Sequence, residues 1–325
     1  MTVALMLLGY ALALTFVGAP LLQKAAWADR APRLAIAAWQ ALTFTVLVSV
    51  ALAGLALTVP TVDVSANLAD LLRACVLAIR EQYATPGGAA AGSAGLVLAA
   101  AVVGRTAFCV TAGASRVSRE RDDHRRALDL VGDAGSRGGV LVLRSEEAAV
   151  YCLPGRRERT VVTTGALAVL DDEQLAAALA HERAHLVERH DLVLLLSLAL
   201  AAAFPRVALF RNAASETARL LELRADDVAG NSTGRLTVAS ALLALVSTGT
   251  ASAIPRVALA AAGSGAVGRV RRLILPRSPL PRLKTASGAT AVTVAVLAPL
   301  LFIGGPAVGA VQHNLCPDVG ISILA

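Results

Sequence analysis

The sequence predicts a multi-pass α-helical membrane protein of four spans, with an α+β domain inserted before the last span. Three observations lead to this fold class. The chain is 56% hydrophobic but only 16% charged, it contains four long apolar runs, and one continuous block mixes helix and strand patterns. Mean hydropathy is +0.65, a value that long charge-free runs produce in a membrane protein with a soluble part.

Each apolar run is long enough to cross a bilayer, which takes about 20 residues of helix. The runs cover residues 3–22, 34–59, 87–114 and 286–311. No basic residue precedes Lys24 and a second run follows closely, so a retained first span is favoured over a cleaved signal peptide. The predicted organisation is three transmembrane helices in 1–114, a separate domain in 115–285, and a fourth helix with a short tail in 286–325.

Basic residues cluster on one side of these spans. They are Lys24, Arg30 and Arg33 after the first span, five arginines in 116–126 after the third, and six basic residues in 269–284 before the fourth. The positive-inside tendency therefore predicts a cytoplasmic inserted domain and extracytoplasmic termini. Direct nucleic-acid binding is not expected, because the run 116–126 mixes both signs of charge at helical spacing, which is typical of a solvated helix face.

The cysteines follow from the same topology. Cys75 and Cys316 fall on the outer side, where the sequence leaves open whether they form a disulfide. Cys109 lies in a span, and Cys152 lies in the cytoplasmic part, where thiols stay reduced. None of the four shows the paired spacing of a zinc-binding motif.

The first half of the inserted block has the pattern of a small sheet. A charged helical stretch leads into a glycine-rich turn at 132–139. Turn residues then separate three β-type runs, at 140–143, 149–153 and 160–164. The block is therefore predicted to be α+β, with a sheet followed by helices.

The second half of the block is predicted to be helical. Asp171, followed three residues later by Gln174, has the capping-box pattern that opens a helix. The apolar run 191–210 is interpreted as two helical pieces that meet near Pro205, with a re-entrant hairpin as the alternative. Residues 236–262 are interpreted as a core helix and a following loop, because Ser, Thr, Gly and Pro interrupt the run.

The helix that Asp171 opens contains the sequence HERAH, from His181 to His185. Histidines four apart lie one turn apart on one face, so two imidazole nitrogens can converge on one Zn²⁺ ion. Glu182 lies beside that face, where it can take a proton from a water on the metal. The alternative is a pair of surface histidines on a solvated helix. His190 is about half a turn away from that face, and we expect it to point elsewhere together with Asp191.

A catalytic zinc site needs a third protein ligand, for which Glu222 is the best candidate. Glu222 and Asp226 are four residues apart, on one face of a second predicted helix bounded by Gly230 and Asn231. Glu222 can complete a two-histidine, one-glutamate set, and Asp226 is placed to accept the far N–H of a ligand histidine. The alternative is a solvated acidic pair, neutralised by nearby arginines at 219 and 224.

These segments resemble a known family. The stretches VVTTGALAVLDDEQLAAALAHERAHLVERHDLVLLL and AAFPRVALFRNAASETARLLELRADDVA are similar to the integral-membrane zinc peptidases of BlaR/MecR type. The HtpX and CAAX prenyl protease group shares the HExxH and ExxxD core, and RVRRLI at 269–274 resembles the helix that closes this domain. The resemblance covers about 140–275. Only one apolar run separates HExxH from the third ligand, whereas HtpX-like proteins have two spans there.

The resemblance implies a gluzincin-like fold in which one catalytic Zn²⁺ ion is bound by His181, His185 and Glu222. It also implies that Glu182 is the base and that Asp226 supports a ligand histidine. The expected function is cleavage of a cytoplasmic protein in signal transduction, either a winged-helix repressor or the protein itself. β-Lactam sensing is not expected, because only fourteen residues follow Val311 and no extracellular penicillin-binding domain is present.

Two other functions stay open. One is an HtpX-like protease for membrane-protein quality control, and the other is a non-catalytic receptor or scaffold with a vestigial metal site. Intact Glu182 and Glu222 count against the second, because the loss of either would disable catalysis without unfolding the helices. The expected partners are a cytoplasmic protein substrate and membrane lipid, and a homodimer is an open alternative.

Overall fold

The computed structural model describes residues 2–58, 76–77, 80–81, 83–131, 133–137, 140–155, 158–247, 256–276 and 280–315. Cys75 and Cys316 lie outside these residues. The chain divides into two compact units. The first comprises Met1–Leu21, Ala41–Ala107 and Ser287–Ala325, and the second comprises Leu22–Gln40 and Phe108–Ala286.

The elements of the described residues follow in chain order. Helices α1 (Thr2–Gln23), α2 (Pro32–Thr58) and α3 (Pro86–Val131) come first. Strands β1 (Asp133–Arg137), β2 (Val140–Leu143), β3 (Val150–Leu153) and β4 (Arg159–Thr163) follow. The remaining helices are α4 (Thr164–Val169), α5 (Asp172–Val187), α6 (His190–Ala203), α7 (Ala208–Thr233), α8 (Arg235–Ser247), α9 (Arg256–Ile274) and α10 (Arg282–Leu315).

Within the described residues, the predicted apolar runs lie in long helices. Among the described residues, the segments long and apolar enough to cross a membrane are Thr2–Gln23, Pro32–Thr58, Pro86–Asp129 and Leu283–Phe302. Helix α1 contains a π-helical turn at Leu14–Gly18. Helix α3 is 46 residues long, so the third apolar run and the charged stretch after it form one continuous helix. No proline separates the two parts, and Gly113 near their junction lowers helix stability by only about 1 kcal/mol relative to alanine.

Glycines bring two apolar helices of the first unit into close contact. A Cβ atom built on Gly54 of α2 would lie 2.6 Å from the carbonyl oxygen of Gly95 of α3, and one built on Gly95 would clash with the carbonyl oxygen of Gly54. Small residues permit such close backbone approach between membrane helices. In the same unit, the Tyr10 hydroxyl donates a hydrogen bond to the carbonyl oxygen of Ala295 at 2.9 Å.

The strands of the second unit form a mixed sheet in the order β1-β2-β4-β3. Strands β2 and β4 are parallel, while β1 pairs antiparallel with β2 and β3 pairs antiparallel with β4. The three predicted β-type runs are confirmed. The prediction of a turn throughout 132–139 is wrong, because Asp133–Arg137 forms β1. Backbone pairing with β2 makes this glycine-containing segment a strand despite its composition.

The capping box at the start of α5 is confirmed. The Asp171 side chain accepts a hydrogen bond from the backbone N–H of Gln174 at 2.8 Å, and the Gln174 side chain accepts one from the N–H of Asp171 at 3.2 Å. At the other end, Arg189 adopts left-handed backbone angles, with φ 53° and ψ 42°. This residue ends α5 and starts α6 in a new direction. A left-handed non-glycine residue carries a steric cost of about 1–2 kcal/mol.

The apolar run 191–210 folds as two helical pieces, as predicted. Helix α6 ends at Ala203 and α7 begins at Ala208, and these two helices pack against each other within the second unit. Two predicted boundaries are wrong. Helix α7 passes through Gly230 to Thr233 and ends at Gly234, whose φ of 95° favours glycine. Residues 256–262 belong to α9 and do not form a loop.

Candidate active site

Helices α5 and α7 pack side by side and bring the predicted metal ligands together. His181 Nε2 and His185 Nε2 are 3.2 Å apart. Each of these nitrogens lies 3.6 Å from a carboxylate oxygen of Glu222. The i,i+4 spacing on α5 brings the imidazoles onto one face, whereas only the packing of α7 places Glu222 opposite them.

The three donor atoms match the size of a zinc site. Two nitrogens at about 2.05 Å from a tetrahedral Zn²⁺ ion would be about 3.3 Å apart. The measured separations of 3.2 and 3.6 Å are close to that value. All three donors lie within 4.8 Å of one another, and the set of two imidazoles and one carboxylate leaves one tetrahedral position open. The residues therefore fit a catalytic zinc ion.

A buried carboxylate and a buried arginine support this set. His181 Nδ1 lies 3.1 Å from Oδ1 of Asp226, whose side chain is fully buried. The guanidinium group of Arg269, on α9, donates two hydrogen bonds to Asp226 and lies 2.8 Å from Oε2 of Glu222. Arg269 therefore orients both carboxylates of α7 and compensates their charge. With Nδ1 beside the Asp226 carboxylate, Nε2 of His181 is left to bind a metal.

The charges around the donor atoms shift their pKa values in opposite directions. Burial lowers the pKa of His181, but the carboxylates of Asp226 and Glu222 outweigh it and raise the pKa to about 9. Burial and the neighbouring His181 lower the pKa of His185 to about 3. Burial opposes ionisation of the Glu222 and Asp226 carboxyl groups, but the positive charges of His181 and Arg269 outweigh it. These charges hold the pKa of Glu222 well below its usual range and lower the pKa of Asp226 to about 2. Without a metal, the histidine pair therefore carries its proton on His181.

Glu182 lies next to this face, at the junction of α5 and the sheet. Burial is the main cause that raises the pKa of its carboxyl, and the nearby charge of Glu222 acts in the same direction. The thiol of Cys152, on β3, donates a hydrogen bond to the backbone carbonyl oxygen of Glu182 at 3.2 Å. This contact connects the edge strand to the helix that carries the candidate base.

His190 lies against the site, contrary to the prediction that it points elsewhere. Its Nδ1 is 2.9 Å from Nδ1 of His185, and its Nε2 is 3.2 Å from Oε2 of Glu188. The prediction assumed a continuous helix, but Arg189 ends α5 and turns the chain back. If Nε2 of His185 binds a metal, its Nδ1–H donates to His190, and Nε2–H of His190 donates to Glu188.

Other polar residues near the motif are engaged elsewhere. Arg224 binds the Glu188 carboxylate through Nε at 2.9 Å and through a second short contact from its terminal nitrogen. Arg224 and His190 both contact the Glu188 carboxylate. Asp191 pairs with Arg121 at 3.1 Å. The alternative reading, in which Arg219 and Arg224 neutralise Glu222 and Asp226, is wrong, because Arg269 does so.

Arg269 and Arg272 have roles that the sequence did not indicate. Both belong to the basic cluster that supports the positive-inside argument, yet their side chains lie largely buried against carboxylates of α7. Arg272 binds Asp227 at 2.8 Å, as Arg269 binds Asp226. No spacing rule identifies these partners, because the two pairs join different helices across 43 and 45 positions of chain.

Comparison with known protein families gives a match for this part of the chain. Residues 119–253 match peptidase family M48. M48 peptidases are generally metal-dependent, so the match and the His/Glu cluster together support a metallopeptidase. The apolar helices are consistent with the membrane proteases of this family. No match to the chain was found among curated proteins or solved structures.

Proposed function

We propose that the protein is a membrane-embedded zinc metalloendopeptidase that cleaves a protein substrate on the cytoplasmic side. The observation that carries this proposal is the convergence of His181, His185 and Glu222 at the separations of a tetrahedral zinc site. The similarity of 119–253 to M48 peptidases supports the same reaction class. The intact Glu182 beside the three donors favours a catalytic site over a vestigial one.

The residues of the chain supply the binding and proton-transfer functions that peptide hydrolysis requires. Zinc, when bound, supplies a Lewis acid that lowers the pKa of a water and polarises the scissile carbonyl. The Glu182 carboxylate takes the proton of the attacking water and passes it to the leaving amine. The raised pKa of Glu182 suits both steps, because a carboxylate of higher pKa takes the proton from water more readily and, once protonated, can donate it to the leaving amine. Asp226 and His190 hold the ring orientation of His181 and His185.

The edge strand β3 is a suitable surface for the substrate backbone. It pairs with β4 on one side only within the described residues, and it packs against α5. An extended peptide can add a strand to such an edge through main-chain hydrogen bonds. The hydrogen bond from Cys152 to Glu182 then sets the distance between this peptide and the candidate base.

The first test is the substitution Glu182→Gln in the full chain. Glutamine cannot accept the proton, so cleavage should fall by at least about 10²-fold, whereas the zinc content of the purified protein should stay unchanged. N-terminal peptide mapping of the cellular proteome, comparing wild type with the variant, identifies the substrate. Cleavage that survives the substitution, or purified wild-type protein that contains no zinc, would contradict the proposal.

The substrate distinguishes two roles for this enzyme. Cleavage of a winged-helix repressor, or of the protein itself, supports a signalling role like that of BlaR/MecR-type proteins. Cleavage of many misfolded membrane proteins supports a quality-control role of the HtpX kind. The single short apolar helix α6 between the motif and Glu222 favours the first, because fourteen residues are too few to cross a bilayer.

The proposed orientation has a separate test. The basic residues between α1 and α2 and those after the third span support a cytoplasmic catalytic domain. The native cysteines can be replaced and single cysteines introduced at exposed positions, for example by Arg119→Cys in the domain. A membrane-impermeant thiol reagent should label the thiol introduced at position 119 only after the membrane is opened. Labelling at position 119 in intact cells would show that the catalytic domain lies outside the cytoplasm and would contradict the proposed orientation.

A further inference from the structure

A cavity of about 480 Å³ lies between α7, α9 and the loop that joins α1 to α2, all within the second unit. Its walls are strongly basic. The arginines that line it are Arg30, Arg219, Arg235, Arg269, Arg271 and Arg272, and the acidic residues are Asp29 and Glu222. Six positive side chains and two negative ones therefore face a space large enough for a small polar group.

Most of these arginines are already engaged. Arg219 pairs with Asp29 and Glu216, Arg269 with Glu222 and Asp226, and Arg272 with Asp227, while Arg235 donates to carbonyl oxygens at the end of α9. Arg30 and Arg271 differ, because neither makes an ion pair or a side-chain hydrogen bond within the described part of the chain. Both are exposed, so they leave the cavity with positive charge that no described side chain compensates.

The cavity lies close to the ends of membrane-spanning helices. Arg30 is in the short loop between the end of α1 at Gln23 and the start of α2 at Pro32. Pro276, at the other wall, precedes the span that begins at Leu283. Asp29 fixes the loop to the domain through its contact with Arg219 at 2.6 Å. A loop between two spans lies at the membrane surface, where the phosphate groups of the lipids are.

The α9 wall of the cavity is formed partly by bare backbone. Gly265 and Gly268 lie three residues apart on α9, and both line the cavity. A Cβ atom built on either glycine meets no other atom within 4 Å. The space in front of them is therefore open, and a larger side chain at position 268 can enter it without a clash.

We propose that this cavity binds the phosphate headgroup of an anionic phospholipid from the surrounding membrane. A guanidinium group can donate two parallel hydrogen bonds to two oxygens of one phosphate. Basic pockets beside membrane helices bind lipid headgroups. The position of Arg30 between two spans favours a lipid over an acidic segment of a protein substrate. Glu222 and Arg269 of the candidate metal site form part of the cavity wall, so a bound headgroup lies beside that site.

The test measures lipid binding by native mass spectrometry of the full-length chain with the Glu182→Gln change, purified in neutral detergent. The probes are phosphatidylglycerol and, as the uncharged comparison, phosphatidylcholine. Two variants address the cavity: Arg30→Gln with Arg271→Gln removes the uncompensated charge, and Gly268→Leu fills the space without changing any charge. Arg116→Gln with Arg119→Gln is the matched charge control, because both arginines are exposed and lie outside the cavity. Gly268→Ala is the size control.

We expect the unmodified cavity to retain phosphatidylglycerol in preference to phosphatidylcholine. Arg30→Gln together with Arg271→Gln should weaken phosphatidylglycerol binding roughly twentyfold. Gly268→Leu should abolish the preference for phosphatidylglycerol over phosphatidylcholine. Both control variants should bind the two lipids as the parent chain does. Equal loss in the Arg116 and Arg119 control would overturn the proposal. So would unchanged phosphatidylglycerol binding in the chain with Arg30→Gln and Arg271→Gln. Because binding is measured in an inactive chain, this result does not depend on the proposed peptidase activity.

Discussion

At the scale of single residues, His190 is the clearest case of a position whose contacts explain its chemistry. Its ring lies between the candidate ligand His185 and the Glu188–Arg224 ion pair. When the neutral His185 ring donates Nδ1–H to His190, the lone pair of its Nε2 is left for the metal. His190 is therefore a positioning residue and not a ligand.

The substitution His190→Ala tests this role. Loss of the acceptor for His185 Nδ1–H should weaken zinc affinity about 10–100-fold, because outer partners of ligand histidines contribute that much. Metal affinity of the full chain is measured by competition with a chromophoric chelator. His124→Ala is the matched control, since its ring contacts the Tyr151 hydroxyl at 2.9 Å and not the metal site. Equal affinities of the His190→Ala chain and the parent would show that the contact has no role.

The proton on His181 predicts a pH dependence for metal binding. The pKa of His181 in the metal-free chain is about 9, so a proton occupies the pair below that pH and must leave before Nε2 binds zinc. Zinc affinity should therefore fall about tenfold for each pH unit below about 9. Asp226→Asn should shift this dependence to lower pH, because it removes a carboxylate that raises the pKa.

In the metal-free chain the same proton acts on stability in the opposite direction. A raised folded-state pKa stabilises the fold below the ordinary value of 6.5, and this contribution is lost as the pH rises through about 9. Equilibrium dialysis across this range measures the affinity, and thermal melts of chelator-treated protein measure the stability. An affinity that does not change with pH below about 9 would contradict the charge assignment to His181.

At the scale of elements, helix α5 depends on signals at both of its ends. The capping box at Asp171 fixes the first turn, and the left-handed Arg189 ends the helix directly after the site. Between the capping box and Arg189 lie His181, Glu182 and His185, and the regular helix sets the spacing of their side chains. The site is thus held on a helix with defined ends.

The cap can be tested by Asp171→Ala. Loss of the hydrogen bond to the Gln174 N–H should lower the free energy of unfolding by about 1 kcal/mol, in the usual range for helix N-caps. Asp172→Ala is the control, because Asp172 lies in the same first turn but is not the cap. Thermal unfolding of the full chain in detergent measures both. Equal shifts in melting temperature would mean that charge near the helix start, and not the cap, is responsible.

At the scale of the whole molecule, the apolar helices need contacts that lipid cannot replace. Lipid tails are as apolar as leucine, so the helices associate through close packing of small residues. The glycines at 54 and 95 provide such a contact between α2 and α3. Neither glycine has a positive φ, so glycine is needed at these positions because a side chain would not fit between the helices.

Gly95→Val tests this packing. The new side chain would meet the Gly54 carbonyl oxygen and the Leu57 side chain, so the variant should be destabilised by about 1–3 kcal/mol. Gly104→Val is the matched control, because position 104 is on the same helix and faces open space. The melting temperature in detergent should fall for the first variant only. A similar fall for both would indicate a loss of helix propensity instead.

Much of the site was predictable because it depends on local periodicity. The apolar runs, the three β-type runs, the capping box and the i,i+4 spacings of His181, His185, Glu222 and Asp226 are all properties of consecutive residues. They require only the geometry of a helix or strand. The prediction of Glu222 as the third ligand does not follow from periodicity alone. It also depends on the known ligand set of catalytic zinc, which is two histidines and one carboxylate.

The sequence by itself determined that this is a chain with membrane-length apolar helices and a HExxH helix. Only the tertiary structure decided what surrounds the motif. Strand β1 forms from a glycine-rich segment because β2 supplies its hydrogen bonds, and His190 returns to His185 because one residue takes left-handed angles. Arg269 reaches Asp226 and Glu222 across 43 or more positions of chain. Such contacts depend on how helices pack, which no local pattern of residues encodes.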